Sequence, residues 1–253
     1  MRPFLFVVGL AFSHLLSAET QLSSTPNTAV VPAGRLEVDF HDWDQRHAAI
    51  MAIKDALKPE IVLIGDSITH IWAGPPEDKS GNGNRGLAEW KSLFGERPVL
   101  NLGFGWDRTQ NVLKRIELGE LDGLAPKAVV ILIGTNNLVE TKNARENTPA
   151  EIAAAISVIV DKVQAKCPQA QVILMTVFPR GEKPSDPMRA KVAAVNNLLV
   201  KLPPKPGVTL LDITAKFIAA DGTISKELME DFLHPTAKGY AIWAEALKPV
   251  LPK

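Results

Sequence analysis

Ser67 follows the apolar run Ile61–Ile64 in the segment Gly65-Asp66-Ser67-Ile68-Thr69, at what reads as a strand-to-helix junction. A hydroxyl there, beside backbone N–H groups that point outward at a helix N-terminus, is placed to attack a carbonyl and to hold an anion. His234 lies near the end of the chain in Asp231-Phe232-Leu233-His234-Pro235. Imidazole is the natural general base near neutral pH, and an Asp three residues earlier can curl back and accept from its other ring nitrogen. Asn136, in Gly134-Thr135-Asn136-Asn137, offers a side-chain N–H to a developing oxyanion, and Gly103 can bring a bare backbone N–H close to a ligand. Singly, each has an ordinary explanation: a helix cap, a turn, a turn asparagine, a surface aspartate beside a packed histidine. Together they supply a nucleophile, a base, an orienting carboxylate and oxyanion donors, the set that an acyl-transfer site requires.

The elements that must position these groups alternate along the chain. Short apolar runs at Ile61–Ile64, Val99–Leu102, Ala128–Ile133, Val172–Val177 and Val208–Leu211 lack polar alternation, the pattern of strands buried on both faces of a parallel sheet. Helices are predicted over Trp43–Leu57, from the capping box Thr148-Pro149-Ala150-Glu151 onward, over Met188–Leu202 and over Ala237–Val250. The alternation predicts one α/β domain with a doubly wound, mostly parallel sheet, whose ligands bind beyond the carboxyl ends of the strands. Ser67, Gly103 and Asn136 each follow a strand, on that rim.

Composition closes off other classes. The chain has 253 residues, 46% hydrophobic and 22% charged, with 28 Lys+Arg balancing 28 Asp+Glu. That is the make-up of a globular protein, with no broad electrostatic reason to bind nucleic acid or an anionic membrane. A single cysteine, Cys167, excludes an internal disulfide framework and a cysteine-based zinc site. No HExxH, EF-hand loop or Walker loop is present, the turn that opens Gly103-Phe104-Gly105 does not continue into a full GxGxxG, and His41, His47 and His70 lack ligand spacing, so no metal and no cofactor are expected. The GxSxG elbow of α/β-hydrolases is absent as well.

GDSIT at 65–69, the glycine at Gly103, GTNN at 134–137 and DFLH at 231–234 resemble, in order and spacing, the four blocks of the SGNH or GDSL hydrolase superfamily. More narrowly, NLGFGWDRTQNVLKRIELGEL, FPRGEKPSDPMR and DFLHPTAKGY resemble the catalytic subunits of platelet-activating factor acetylhydrolases and their secreted bacterial relatives, from about Trp43 to Val250. The resemblance implies a three-layer α/β/α sandwich, flavodoxin-like, and hydrolysis of esters, often short-acyl ones. It also implies Ser67 as nucleophile, His234 as base, Asp231 as its partner, and an oxyanion hole of the Ser67 and Gly103 N–H groups with the Asn136 side chain. The resembling enzymes form dimers, so a homodimer is one expectation. Trp106 stands where close relatives often have glycine, and Gly74–Arg85 looks like an inserted loop, so the pocket is expected to differ. Trp106 is the candidate for stacking on substrate, Trp243 falls on the apolar face of its helix, and Trp90 is a third aromatic to place. O-acetyl groups on extracellular carbohydrate are the expected substrate, with phospholipid, lysophospholipid or aryl esters as the alternative. A non-catalytic binding protein on the same scaffold is a remote third.

The N-terminus reads as a processing signal. Arg2, an apolar run from Phe4 to Leu16, and small residues at Ser17 and Ala18 match a secretory signal peptide over residues 1–18, too short for the ~20 apolar residues of a membrane span. Residues 19–42, rich in Ser, Thr, Pro and Asn, read as an arm or linker, and 43–253 as the hydrolase domain. A secreted or periplasmic enzyme, not stably inserted in a membrane, is expected.

Overall fold

The computed structural model describes residues 26–253, so the signal peptide expected over residues 1–18 lies outside the described residues. Five strands, β1 (Ile61–Gly65), β2 (Val99–Gly103), β3 (Ala128–Leu132), β4 (Gln171–Met175) and β5 (Val208–Leu211), form one sheet in the order β2-β1-β3-β4-β5. Every neighbouring pair is parallel, in registers such as Gly65↔Gly103 and Gly65↔Leu132. Chain order reverses between β1 and β3, which opens a crevice at their carboxyl ends.

Alternate strand residues face opposite helical layers. Val62, Ile64, Leu100, Val129, Ile131 and Leu174 pack toward α1 (Trp43–Leu57), α4 (Thr109–Glu117), α5 (Pro149–Lys166) and α6 (Pro187–Leu199). Ile61, Leu63, Val130, Leu132 and Ile173 pack toward α2 (Ser67–His70), α3 (Leu87–Phe94) and α7 (Ala237–Leu247). The result is the three-layer α/β/α sandwich. Thr148 caps α5 through the Glu151 N–H at 3.2 Å while Glu151 accepts from the Thr148 N–H at 2.8 Å, the reciprocal box that the sequence predicts. The α6 and α7 helices end three residues before their predicted limits.

Neither α3 nor α4 stands out in the sequence. In α4 the residues Thr109, Gln110, Asn111 and Arg115 are buried alongside Val112, Leu113 and Ile116, so its buried residues are more polar than apolar. Trp72 stacks on Trp243 at 4.5 Å and on Tyr240 at 5.3 Å, with Trp90 edge-on at 5.6 Å. Trp90 and Trp243 are therefore core residues of the α2–α3–α7 layer. The arm is docked over its described part. A short turn of helix at Thr28–Val30 buries Ala29, whose carbonyl accepts from Thr109 Oγ1 at 2.8 Å, and the Ala33 N–H donates to the Gln110 carbonyl at 3.1 Å.

Tyr240 joins α7 to α2 by donating its buried hydroxyl to the Ile68 carbonyl at 2.6 Å. Tyr240→Phe is expected to lower stability by about 1 kcal/mol, read as the urea midpoint, because the carbonyl loses its partner.

Candidate active site

The β1 strand delivers the nucleophile candidate through a turn with no room for side chains. A Cβ at Gly65 would fall 2.1 Å from Thr69 Oγ1 and 2.6 Å from the Leu132 carbonyl oxygen. Asp66 caps α2 by accepting from the Ile68 N–H at 3.0 Å, and burial pushes its carboxyl up to about 6 against that bond. Ser67 is the first residue of α2, so its own N–H has no intrahelical acceptor.

The Ser67 Oγ lies 2.8 Å from His234 Nε2, and His234 Nδ1 lies 2.6 Å from Asp231 Oδ2. Asp231 cannot donate when ionised, so Nδ1 carries the ring proton and Nε2 presents its lone pair to the serine hydroxyl. Asp231 Oδ1 also accepts from the backbone N–H groups of His234 at 2.7 Å and Leu233 at 3.1 Å. Burial alone would raise this carboxyl. The bonds from the His234 ring and backbone outweigh it and hold Asp231 well below the usual carboxylate range. Phe232, between them, adopts a left-handed φ of 60°, which curls the loop so that residues three apart face each other.

Asn136 begins a short 3₁₀ turn after β3 and is buried. One of its amide N–H groups donates to the Asp107 carbonyl at 3.0 Å, which fixes the side chain and leaves its second N–H free to aim elsewhere. Asn137, which the sequence reading leaves without a role, accepts from the Thr109 N–H at 3.0 Å and donates to Asn147 and Gln110. It ties the β3 loop to the start of α4.

Gly103 does not fit the role expected of it. Its N–H donates to Asn101 Oδ1 at 2.8 Å, and a Cβ there would fall 2.2 Å from the His70 backbone nitrogen. It is a packing glycine, with its N–H already spent. The Gly105 N–H is spent on His70 Nδ1 at 3.2 Å. The Trp106 N–H has no acceptor among the described residues, and Trp106 lines one cleft with Ser67, Asn136 and His234. Trp106 holds φ at 58°, the left-handed region that glycine occupies freely and that costs another residue about 1–2 kcal/mol. Trp106 is 37% exposed, whereas Trp90 and Trp243 are buried.

Two buried arginines hold this loop. Arg46 donates from Nε to the Gly103 carbonyl at 2.7 Å and from Nη2 to the Asn101 carbonyl at 3.1 Å. Arg115 pairs through Nε with Asp107 Oδ2 at 2.8 Å and through Nη1 with Glu120 Oε2 at 2.7 Å, while Nη2 reaches the Gly65 carbonyl at 3.4 Å. Its guanidinium lies 4.1 Å from the Phe104 ring centre. Burial alone would weaken the charge on Arg115, but Glu120 and Asp107 raise its pKa. Trp43 Nε1 completes the Asp107 carboxylate at 2.9 Å. Among the described residues no group of His, Cys, Asp and Glu side chains is arranged to hold a metal ion.

The cleft encloses about 150 Å³, well below the roughly 300–1,000 Å³ that takes drug-sized ligands. Two substitutions test how its loop is built. Gly103→Ala keeps the backbone N–H yet meets backbone atoms, so a stability loss of about 1–3 kcal/mol is expected, seen as a lower melting temperature. Arg115→Met strands two buried carboxylates and is expected to cost about 3–5 kcal/mol, with ester turnover falling more in kcat than in KM.

Residues 63–242 match the model of the GDSL-like lipase/acylhydrolase family. The chain is 37% identical over 217 residues to the platelet-activating factor acetylhydrolase IB subunit alpha2 of Rattus norvegicus, covering 85% of this chain and 86% of that protein. It is 35% identical over 210 residues to the alpha1 subunit of Pongo abelii, covering 83% and 82%. In fold it is similar to a GDSL-like lipase from Bacteroides thetaiotaomicron (TM-score 0.64, 19% identity, 84% of this chain and 98% of that one). An acetylxylan esterase from Geobacillus stearothermophilus gives a TM-score of 0.58 at 21% identity, over 76% of this chain and 94% of that one. A serine turn, a histidine–aspartate pair and a donor-lined cleft on this sheet agree with that kinship: the chain belongs to the GDSL-like lipase/acylhydrolase family and is a carboxylic ester hydrolase.

Proposed function

We propose that the protein hydrolyses short-acyl esters, O-acetyl groups on carbohydrate in particular, through a Ser67–His234–Asp231 triad and an acyl-enzyme. The observation that carries this reading is the continuous relay from Ser67 Oγ to His234 Nε2 and from His234 Nδ1 to Asp231, opening into a cleft of about 150 Å³. A short acyl group is favoured by the acetylhydrolase names of the chain's relatives. His234 takes the Ser67 proton as Oγ attacks the ester carbonyl, and the C–O bond to the alcohol breaks as His234 returns that proton to the leaving oxygen. Water, deprotonated by the same ring, then cleaves the acyl-enzyme. The oxyanion is assigned to the Ser67 N–H, the free N–H of Asn136 and the Trp106 N–H, the last in place of Gly103.

Secretion is part of the proposal and rests on residues 1–18 alone. No helix among the described residues is long and apolar enough to cross a membrane. A second reading, an acetylated phospholipid as substrate, is favoured by the acetylhydrolase names of relatives at 35–37% identity.

Initial rates on p-nitrophenyl esters of increasing acyl length, with Ser67→Ala alongside, test the reading. Acetate should turn over fastest, rates should fall with chain length, and Ser67→Ala should lose on the order of 10⁴–10⁶ in kcat. A preference for long chains, or hydrolysis that survives Ser67→Ala, would overturn it. Because Asp231 is held well below the usual carboxylate range, its protonation should not lower kcat/KM between neutral pH and about pH 5, whereas Asp66, which burial pushes up to about 6, titrates inside that window; a pH–rate profile of wild type against Asp66→Asn separates the two.

A further inference from the structure

The cleft has a second wall that neither the strands nor their helices supply. Together with Ser67 and His234, the cleft is lined by Asp39 and Phe40 from the N-terminal arm and by Asn82 and Arg85 from the inserted loop. The arm is fastened on both sides before it arrives there. Asn111 donates to the Ala33 carbonyl at 3.2 Å, Asn143 donates to the Leu36 carbonyl at 2.6 Å, and Thr141 donates to Glu37 at 2.5 Å. It then brings Asp39 against the loop that carries Trp106. A Cβ at Gly105 would fall 1.7 Å from Asp39 Oδ2, so the approach depends on that glycine.

Asp39 is incompletely satisfied where it stands. Its Oδ2 is buried and has no hydrogen-bond donor, and the nearest ring nitrogen, His41 Nδ1, is 3.9 Å away. Burial raises its carboxyl, against the backbone N–H of Phe40 and the nearby His234. Oδ2 is sealed against Gly105 and out of a ligand's reach, but Oδ1 of the same carboxylate accepts no hydrogen bond among the described residues and is the oxygen left to a donor in the cleft. Arg85 makes no side-chain hydrogen bond or ion pair among the described residues, and Arg180, on the same cleft, makes only a 3.3 Å contact with Thr135 Oγ1. One carboxylate, two largely unspent guanidinium forks and the partly exposed Trp106 therefore share one cleft with Ser67 and His234.

We propose that the arm and the inserted loop form the alcohol subsite, and that Asp39 is its specificity-determining residue, accepting a hydroxyl proton from a sugar ring next to the ester. This rests on the short-acyl reading above and names the alcohol that reading favours. Arginines alone would welcome a phosphate headgroup as readily as a polyol. A carboxylate among them changes the choice: it accepts from a hydroxyl, has nothing to accept from a phosphodiester, and repels its charge. The indole offers an apolar face to the C–H side of a sugar ring.

The test compares three acetate esters with wild-type enzyme, Asp39→Asn and Asp39→Ala: a mono-O-acetylated methyl xyloside, p-nitrophenyl acetate, and an acetylated ether lipid with a phosphomethanol headgroup, which carries no cation for the carboxylate to attract. The readout is each substrate's kcat/KM relative to that of p-nitrophenyl acetate, a ratio that a general folding defect does not move. The xyloside ratio is expected to fall about tenfold in both variants, through KM, while the lipid ratio holds or rises. An unchanged xyloside ratio, or an equal fall in both ratios, overturns the proposal. Wild-type enzyme that cleaves p-nitrophenyl acetate but not the xyloside also overturns it and leaves the short-acyl reading standing. Wild-type enzyme that cleaves none of the three overturns both.

Discussion

The paired charges of Arg115, Asp107 and Glu120 are the constraint from which the rest of the site follows. All three residues are 1–2% exposed, and their attraction is offset by a large desolvation cost. Such a pairing adds little to net stability, but it has only one geometry. Through it, one guanidinium on α4 touches the carbonyl of Gly65 at the nucleophile turn and the carboxylate of Asp107 on the neighbouring loop. The Asp107 backbone carbonyl then holds Asn136 on the third loop. Three chain segments that leave three different strands are thereby set relative to one another by bonds of fixed length, which suits groups that must meet a transition state with little reorganisation.

The sheet places these segments, and the arginines refine them. Reversal of strand order between β1 and β3 leaves the ends of β1, β2 and β3 side by side, so Ser67, the 103–107 loop and Asn136 share one rim. His234 arrives from the last loop, which α7 anchors by stacking Trp243 and Tyr240 on Trp72 behind the nucleophile helix. The positive φ of Phe232 and that of Trp106 are the two places where non-glycine backbone is held in the left-handed region at the site itself. Both sit between groups fixed by other bonds, which is how such conformations persist.

Much of this is legible in the sequence because it depends on local pattern. The five strands are short apolar runs, α5 begins with a capping box, and Asp231 and His234 are close enough along the chain for their pairing to be inferred. What is not legible depends on distant partners. Whether the Gly103 N–H is available is decided by Asn101, whose side chain folds back to take it, and nothing in the spacing of glycines reveals that. The α4 helix escapes notice because, beside Val112, Leu113 and Ile116, it buries Thr109, Gln110, Asn111 and Arg115, which are satisfied by the arm, by Asn137 and by Asp107. Asp39 looks like one charge in a polar arm until the arm is seen to end against Gly105. The signal available for Trp106 was its departure from the glycine of similar proteins, and the structure places a free backbone N–H at that residue.

The most direct measurement is covalent capture of the nucleophile. The native protein would be exposed to a small fluorophosphonate, which phosphonylates a serine only where a base activates the hydroxyl and donors receive the anionic oxygen, and the adduct mapped by peptide mass spectrometry. The expected result is a single adduct on Ser67 that does not form in His234→Ala. A label on another residue, or labelling of Ser67 undiminished without His234, would contradict a nucleophile activated by this relay.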